Sequence, residues 1–380
     1  MDFDLSEEQS LVADNLARLL KDRYGFEQRK AYKAGPLGFS EELWGQYAEM
    51  GLLGAAFSEE DGGYGGGAVE RMLISEAFGR SLALEPYRAS VVLAGGAVKH
   101  AGSPEQRAAL LGSVATGELR LALAHAERAA GWNPLDVATS ATKDGDGFLL
   151  NGEKGLVING DSAQKLIVLA RTAGGRRERA GLGLFVIDAG ATGVLRRGYE
   201  TQDGQRAAEI GFVNARVEDV LGDSEGAAGA VAATLDEAIA ALCAEGVGAM
   251  SEATDITTEY LKTRKQFGTP IGSFQALQHR ASDMIVALEQ ARSMMYYATM
   301  MASETDADAR SRAMSAAKAQ IGRSAKFIGQ QATQLHGGIA MTYEYKLGHL
   351  FKRMTMIEMS YGDADYHLQK LGGGPSLFAA

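Results

Sequence analysis

The run Tyr260-Leu-Lys-Thr-Arg-Lys-Gln-Phe-Gly-Thr-Pro-Ile-Gly-Ser-Phe-Gln275 joins two long helical patterns at the start of the last third of this 380-residue chain. Lys262 and Arg264 stand at the end of the first pattern, Gly268 and Pro270 break it, and a second helix is expected from near Ser273. A guanidinium is thereby left at a helix C-terminus beside a tight turn. There it complements the helix dipole, and it is also well placed to hold a phosphate. On this run alone a capped helix-turn-helix corner and a phosphate holder both remain open.

Beyond the corner, Leu277, Ala281, Met284, Leu288 and Ala291 recur at alternating four and three residue spacing, as the buried stripe of a bundle helix does. Helical periodicity also returns before the corner, from about Gly226. Between Leu119 and Phe212 the period is different. Leu119-Arg-Leu-Ala-Leu-Ala124, Ala138-Thr-Ser-Ala-Thr142, Gly147-Phe-Leu-Leu-Asn151, Leu166-Ile-Val-Leu-Ala170, Leu182-Gly-Leu-Phe-Val-Ile187 and Ala208-Glu-Ile-Gly-Phe212 are short β-prone runs punctuated by Gly, Asn and Asp. From Leu5 to about residue 117 the chain reads as helical, with Leu11, Leu16, Leu19 and Leu20 on one face. The expected fold is mainly α with a central β domain: an N-terminal helical domain over 1–118, a β-barrel or sandwich domain over 119–226 and a C-terminal four-helix bundle over 227–380.

Composition narrows the function. With 46% hydrophobic residues the chain buries a substantial core. No run approaches the roughly 18 apolar residues of a membrane span, and the acidic start Asp2-Phe-Asp-Leu-Ser-Glu-Glu8 is unlike a signal peptide, so a cytoplasmic location is expected. A net charge of −10 without a basic tract argues against nucleic acid as a partner. The single cysteine, Cys243, lies among Ala and Leu and reads as a small buried hydrophobe. No His, Cys and carboxylate cluster has metal-ligand spacing, so no metal site is expected. The run Glu59-Glu-Asp-Gly-Gly-Tyr-Gly-Gly-Gly67 lacks the Gly-Lys-Ser/Thr of a phosphate loop and reads as a mobile connector. Arg176-Arg-Glu-Arg179 is a basic loop, either a solvated hairpin tip or a contact for a CoA phosphate.

A second stretch, Gln334-Leu-His-Gly-Gly-Ile-Ala-Met-Thr-Tyr-Glu-Tyr345, followed by Leu350-Phe-Lys-Arg353, sharpens the reading. Arg-Lys-Gln-Phe-Gly-x-Pro-Ile-x-x-Phe-Gln and Gln-Leu-His-Gly-Gly, in this order, resemble the two signature segments of the flavin-dependent acyl-CoA dehydrogenases. The resemblance extends from Met1 to about residue 370. Through Met1-Asp-Phe-Asp-Leu-Ser-Glu-Glu-Gln9, Ala122-Leu-Ala-His-Ala-Glu-Arg128 and Tyr361-Gly-Asp-Ala-Asp-Tyr366 it is nearest to pimeloyl-CoA dehydrogenase small subunits and to the subunits of heteromeric acyl-CoA dehydrogenases. It implies the same three-part architecture, FAD as cofactor, an acyl-CoA substrate, an electron-transferring flavoprotein as acceptor, and a homo- or hetero-oligomer with a second acyl-CoA dehydrogenase subunit.

Carried over by resemblance, Arg264 and Gln275 contact the pyrophosphate and adenosine side of FAD with Phe267 nearby, while Gln334 and Gly338 reach the FAD of a neighbouring subunit. Gly337 and Gly338 suit that task physically, because a missing side chain lets backbone approach a phosphate. His336 reads either as part of this segment or as a hydrogen-bonded interface histidine.

Desaturation of a thioester needs a base for the α-proton and a hydride acceptor, and no side chain accepts hydride. Here the chain departs from the family. The usual glutamate position is Gly362, and the second known seat is Ala238. Glu245, two helical turns beyond Ala238 on the same face with Leu242 between them, is the leading candidate, since an apolar helix makes a carboxylate a better proton acceptor. Asp363 and Glu237 follow. Ala126 and Ile158 lack hydroxyls, and Leu156 lacks the aromatic ring, that the resemblance aims at the flavin. Three readings stay open: the small subunit of a heteromeric dehydrogenase, or a non-catalytic assembly subunit that completes the FAD site of a partner chain; a self-sufficient homo-oligomer using Glu245; and a flavin monooxygenase on the same fold. The acyl group stays open among dicarboxyl, medium-chain and steroid side-chain thioesters.

Overall fold

The computed structural model describes residues 5–373. Residues 1–4 of the N-terminal segment that carries the resemblance, and 374–380 of the expected C-terminal domain, lie outside the described residues. An N-terminal helical domain, a central β domain and a C-terminal helical domain follow one another along the chain. The first holds α1 (Glu7–Arg23), α2 (Phe26–Ala34), α3 (Glu41–Glu49), α4 (Ala68–Ser81), α5 (Gly95–Ala101, entered through a π-helical turn at Arg88–Ala94) and α6 (Pro104–Ala115). Their starts are written in the sequence. Ser6 and Ser103 close capping boxes with Gln9 and Gln106, and Pro104 occupies the first turn of α6.

The β domain has β1 (Leu121–Ala124), β2 (Ser140–Asp144), β3 (Gly147–Ile158), β4 (Lys165–Arg171), β5 (Leu182–Asp188), β6 (Val194–Glu200), β7 (Arg206–Val217) and β8 (Asp219–Val220). They form one sheet in the order β6-β7-β3-β2-β4-β5-β8, with β1 parallel to β4. The apolar runs of β4 and β5 are buried nearly end to end, and Phe148 meets Phe185 edge to face at 5.1 Å in the core.

In the C-terminal part come α7 (Ala228–Thr263), a hairpin of β9 (Lys265–Gln266) and β10 (Thr269–Pro270), α8 (Gln275–Met301), α9 (Ala307–His336), α10 (Lys346–Met359) and α11 (Ala364–Gly372). Leu242, Val247 and Met250 of α7, Met284, Leu288 and Met295 of α8, Met314, Ile321 and Ile328 of α9 and Leu350 and Met354 of α10 share one core. The expected stripe of α8 is this face.

Contacts divide the chain into two compact units, one of residues 1–31, 68–83 and 239–380, the other of 32–67 and 84–238. In the first unit α4 lies against α7 at backbone distance. A Cβ on Gly79 would stand 1.9 Å from the Glu245 carbonyl oxygen, and one on Gly248 1.9 Å from that of Glu76. Only glycine at both positions permits the crossing. In the second unit the glycine run after Glu59 is a packed turn rather than the connector expected: Asp61 is buried and paired with Arg107 at 3.0 Å, and a Cβ on Gly63 would strike the Phe57 carbonyl at 2.4 Å.

Candidate functional site

The corner is built as the sequence implies and leaves its polar groups outward. α7 stops at Thr263, Arg264 still donates its backbone N–H to Tyr260, and Ile271 N–H closes the loop onto the Arg264 carbonyl at 2.8 Å. Phe267 and Gly268 turn the tip with φ of 54° and 81°. A left-handed phenylalanine is uncommon, and this one is 93% exposed, its ring edge-on to Phe274 at 6.3 Å. The Arg264 guanidinium is exposed and has no ion pair among the described residues. Directly beyond it begins α8, a 27-residue helix whose N-cap, Phe274, offers no side-chain cap. Gln275 is exposed on its first turn. An exposed cation and an uncapped helix N-terminus are each donors suited to phosphate.

The second signature segment meets the first within one chain. Tyr260, one turn before Arg264, stacks on His336 with ring centroids 4.3 Å apart. Gln334 is exposed at the end of α9. Gly337 turns with φ 67°, and a Cβ added to Gly337 or Gly338 would meet nothing within 4 Å. The edge is bare, so a ligand can lie against its backbone. These donors and this open edge fit a dinucleotide such as FAD.

The base seats are filled differently. Gly362 adopts φ 113°, where a side chain is strained, and a Cβ there would stand 2.3 Å from Tyr366 Cδ1 and 2.9 Å from His367 Nε2. Lys318 locks this turn: fully buried, it donates to the carbonyls of Gly362 at 2.8 Å and Glu358 at 2.7 Å. Burial pushes Lys318 down to about 8, with Cys243, Glu358 and Asp363 opposing. His367 is buried, and burial with the Lys318 charge pushes it down to about 4 against the pull of the Tyr361 backbone. The Cys243 thiol is pushed up to about 12 by its burial, as a structural cysteine should be.

Each candidate carboxylate has a partner. Glu245, buried, receives Arg353 Nε at 2.6 Å. Asp363 caps α11 by accepting from Tyr366 N–H at 2.8 Å. Glu237 receives Lys99 at 2.5 Å and lies 3.2 Å from His100 Nε2.

In the β domain Leu156 sits at a register shift of β3 with φ 50° and is half exposed, and Gly155 N–H ties it to the Ala126 carbonyl at 3.0 Å. Behind this wall lies a buried ion pair that sequence reading missed. Lys154 Nζ is 2.7 Å from Glu127, which also accepts from the backbone N–H of Ala138 and Thr139. Desolvation pushes Lys154 down to about 8 against the pull of Glu127, and desolvation with the Lys154 charge pushes His125 down to about 4. A lysine between short apolar runs was the available signal for this pair, as a lysine among alanines was for Lys318. The basic loop at Arg176 is anchored: Arg176 and Arg177 pair with Asp136, and the Arg171 guanidinium gathers the carbonyls of Leu135, Arg176, Glu178 and Ala180. Among the described residues there is no group of three or more metal-ligating side chains, and no helix long and apolar enough to cross a membrane.

Comparison with known proteins agrees with the geometry. The N-terminal, middle and C-terminal domains of acyl-CoA dehydrogenase match residues 6–118, 122–218 and 225–373. A mitochondrial isovaleryl-CoA dehydrogenase of Oryza sativa subsp. japonica is 30% identical over 87% of this chain and 82% of its own. Among solved structures, the Tcur3481-Tcur3483 steroid ACAD variant is 31% identical with a TM-score of 0.87, covering 96% of this chain and 97% of that one. The ChsE4-ChsE5 complex from Mycobacterium tuberculosis is 25% identical with a TM-score of 0.87, covering 99% and 100%. The chain belongs to the acyl-CoA dehydrogenase family, oxidoreductases that act on CH–CH donors with FAD.

Proposed function

We propose that this chain is the small subunit of a heteromeric acyl-CoA dehydrogenase, akin to pimeloyl-CoA dehydrogenase small subunits, with domain boundaries after residues 118 and 226. It helps grip FAD, while a second acyl-CoA dehydrogenase chain contributes the base that takes the α-proton of the thioester. An electron-transferring flavoprotein receives the electrons. FAD, when bound, supplies the hydride acceptor that no side chain provides.

The chain's own residues hold and orient. Arg264 and the uncapped start of α8 bind pyrophosphate oxygens of one FAD and the Gln275 amide donates to the same ligand, while Gln334 and the bare Gly337 and Gly338 backbone reach the FAD of a neighbouring subunit. Phe267 offers an apolar face to the adenosine side.

The observation that carries the heteromeric reading is the closed seat at Gly362. A side chain there collides with Tyr366 and His367 while Lys318 fixes the turn from behind. Glu245 would have to leave Arg353 before it took a proton, which argues against the self-sufficient homo-oligomer. Two of the heteromeric relatives' descriptions, the Tcur3481-Tcur3483 pair and the ChsE4-ChsE5 complex, support pairing.

Flavin content tests the reading. Co-expressed with a second acyl-CoA dehydrogenase chain, the protein should purify yellow. Arg264→Ala should lower its FAD content at least tenfold without preventing assembly. Full FAD retention in that variant would remove Arg264 from the site.

A further inference from the structure

The turn between α10 and α11 is strained at two consecutive residues. Tyr361 has φ 59° and Gly362 φ 113°, and such a backbone persists only where its surroundings impose it. Two buried basic side chains, from different helices, close on this turn. Lys318 of α9, 0% exposed, spans it through the Glu358 and Gly362 carbonyls. His367 of α11, 1% exposed, packs on the same glycine, its Nε2 2.9 Å from where a Gly362 Cβ would stand.

Along the chain this turn is what joins α11 to α10. Beyond it α11 runs back along α9: the Ala364 Cβ lies 3.6 Å from where a Gly322 Cβ would stand, and Lys370 Nζ donates to Ser311 Oγ at 2.7 Å. The helix is nine residues long, too short to be stable by itself in water. Its place therefore depends on the turn and on α9.

The groups that face the two bases come from every neighbouring element. Cys243 of α7, Glu358 of α10 and Asp363 in the turn face Lys318; Asp363, Lys370 and the Tyr361 backbone face His367, and the Tyr366 ring meets it edge-on at 5.2 Å. Both carboxylates are already engaged, Glu358 with the Ala364 N–H at 3.2 Å and Asp363 with the Tyr366 N–H at 2.8 Å. A proton on the imidazole would thus put a second buried cation against a residue that Lys318 already holds, and burial makes that costly.

We propose that Lys318 and His367 form an acid-sensitive latch: protonation of the His367 imidazole beside the Lys318 ammonium opens the turn between α10 and α11 and lifts α11 from α9 while α7 to α10 stay folded. The latch is independent of any bound cofactor. Its sign follows from proton linkage. The latched imidazole resists protonation until about 4, by burial first and then by the Lys318 charge, whereas a released one titrates near 6.5, so the open form binds more protons between those values. Opening should gain about tenfold per pH unit as pH falls through that window. Burial holds Lys318 down to about 8, which has the same sign at higher pH and makes the latch tightest in alkali.

The test is hydrogen exchange of the full chain, resolved by segment and corrected for the intrinsic rate at each pH, comparing α11 with α8 in wild type, His367→Phe and Lys318→Met. Wild-type protection of α11 should fall about a hundredfold between pH 6.5 and 4.5 with α8 unchanged. His367→Phe keeps a ring on Gly362 and removes the titration, so its α11 protection should stay within twofold over that range. Lys318→Met should lose at least about tenfold of α11 protection at pH 7.5 and keep that of α8. Should Lys318→Met not fold, the His367→Phe comparison decides alone. Wild-type α11 protection that changes less than twofold, that falls in step with α8, or that falls equally in His367→Phe would overturn the latch.

Discussion

Glu245 and Arg353 form a buried pair at 2.6 Å, so the residue that sequence logic favoured as a base carries a structural load instead in the proposed account. Glu245→Gln should destabilise the fold by about 3–5 kcal/mol in denaturant unfolding, because it strands a buried guanidinium. A double Glu245→Leu, Arg353→Met variant should recover most of that loss. Stability unchanged by Glu245→Gln would return Glu245 to the list of bases. At Gly362 the backbone and its neighbours exclude a side chain, so Gly362→Ala should cost about 2 kcal/mol or more by the same measurement. His367 links the locked turn to pH. In the unfolded chain its imidazole takes a proton as pH falls through about 6.5, whereas the folded one resists until about 4, so the unfolded state binds more protons in that window. Unfolding free energy should therefore fall as pH drops from about 6.5 to 4, and His367→Phe should flatten that fall by about 2–3 kcal/mol. An identical slope in the variant would place the acid sensitivity elsewhere, His125 being the next group with the same shift. The corner that carries Arg264, the proposed phosphate holder, was legible because its motif is local. The partners of Glu245 and the lock by Lys318 were not, since they join residues 108 and 44 positions apart.

Among the elements, the crossing of α4 and α7 sets the geometry around Glu245. Gly79→Ala or Gly248→Ala forces a methyl group into a facing carbonyl at 1.9 Å, and either should lower stability by about 1–3 kcal/mol, read as a fall in melting temperature. An unchanged melting temperature would mean that the helices separate at little cost. Helix starts were readable from Ser6, Ser103 and Pro104, and α8 from its four and three spacing, because caps and periodicity are local signals. β6 escaped the sequence reading. Val194-Leu-Arg-Arg-Gly-Tyr-Glu200 is an edge strand exposed along most of its length, so it carries no alternation of buried and solvated residues. β3 was read too short for a related reason: Asn151 and Gly152 look like a turn, yet they sit at a register shift within one continuous strand.

For the whole molecule, the family and its three-part order were legible in two signature segments and the change of period between them. The proposed division of labour between chains was suggested in the sequence only by a loss, in Gly362 and Ala238 standing where the resemblance places glutamates. Three-dimensional packing turns that loss into a positive feature, a seat that is closed and held shut. In the proposed reading the chain is a cofactor-gripping subunit whose chemistry is completed by a second one. Anaerobic titration with a panel of acyl-CoA thioesters varied in length and terminal charge, followed by bleaching of the flavin's visible band, tests this most directly. The account predicts bleaching by at least one thioester when the chain is assembled with a second acyl-CoA dehydrogenase subunit and none when it is reconstituted alone with FAD. Full bleaching of the chain alone would contradict it.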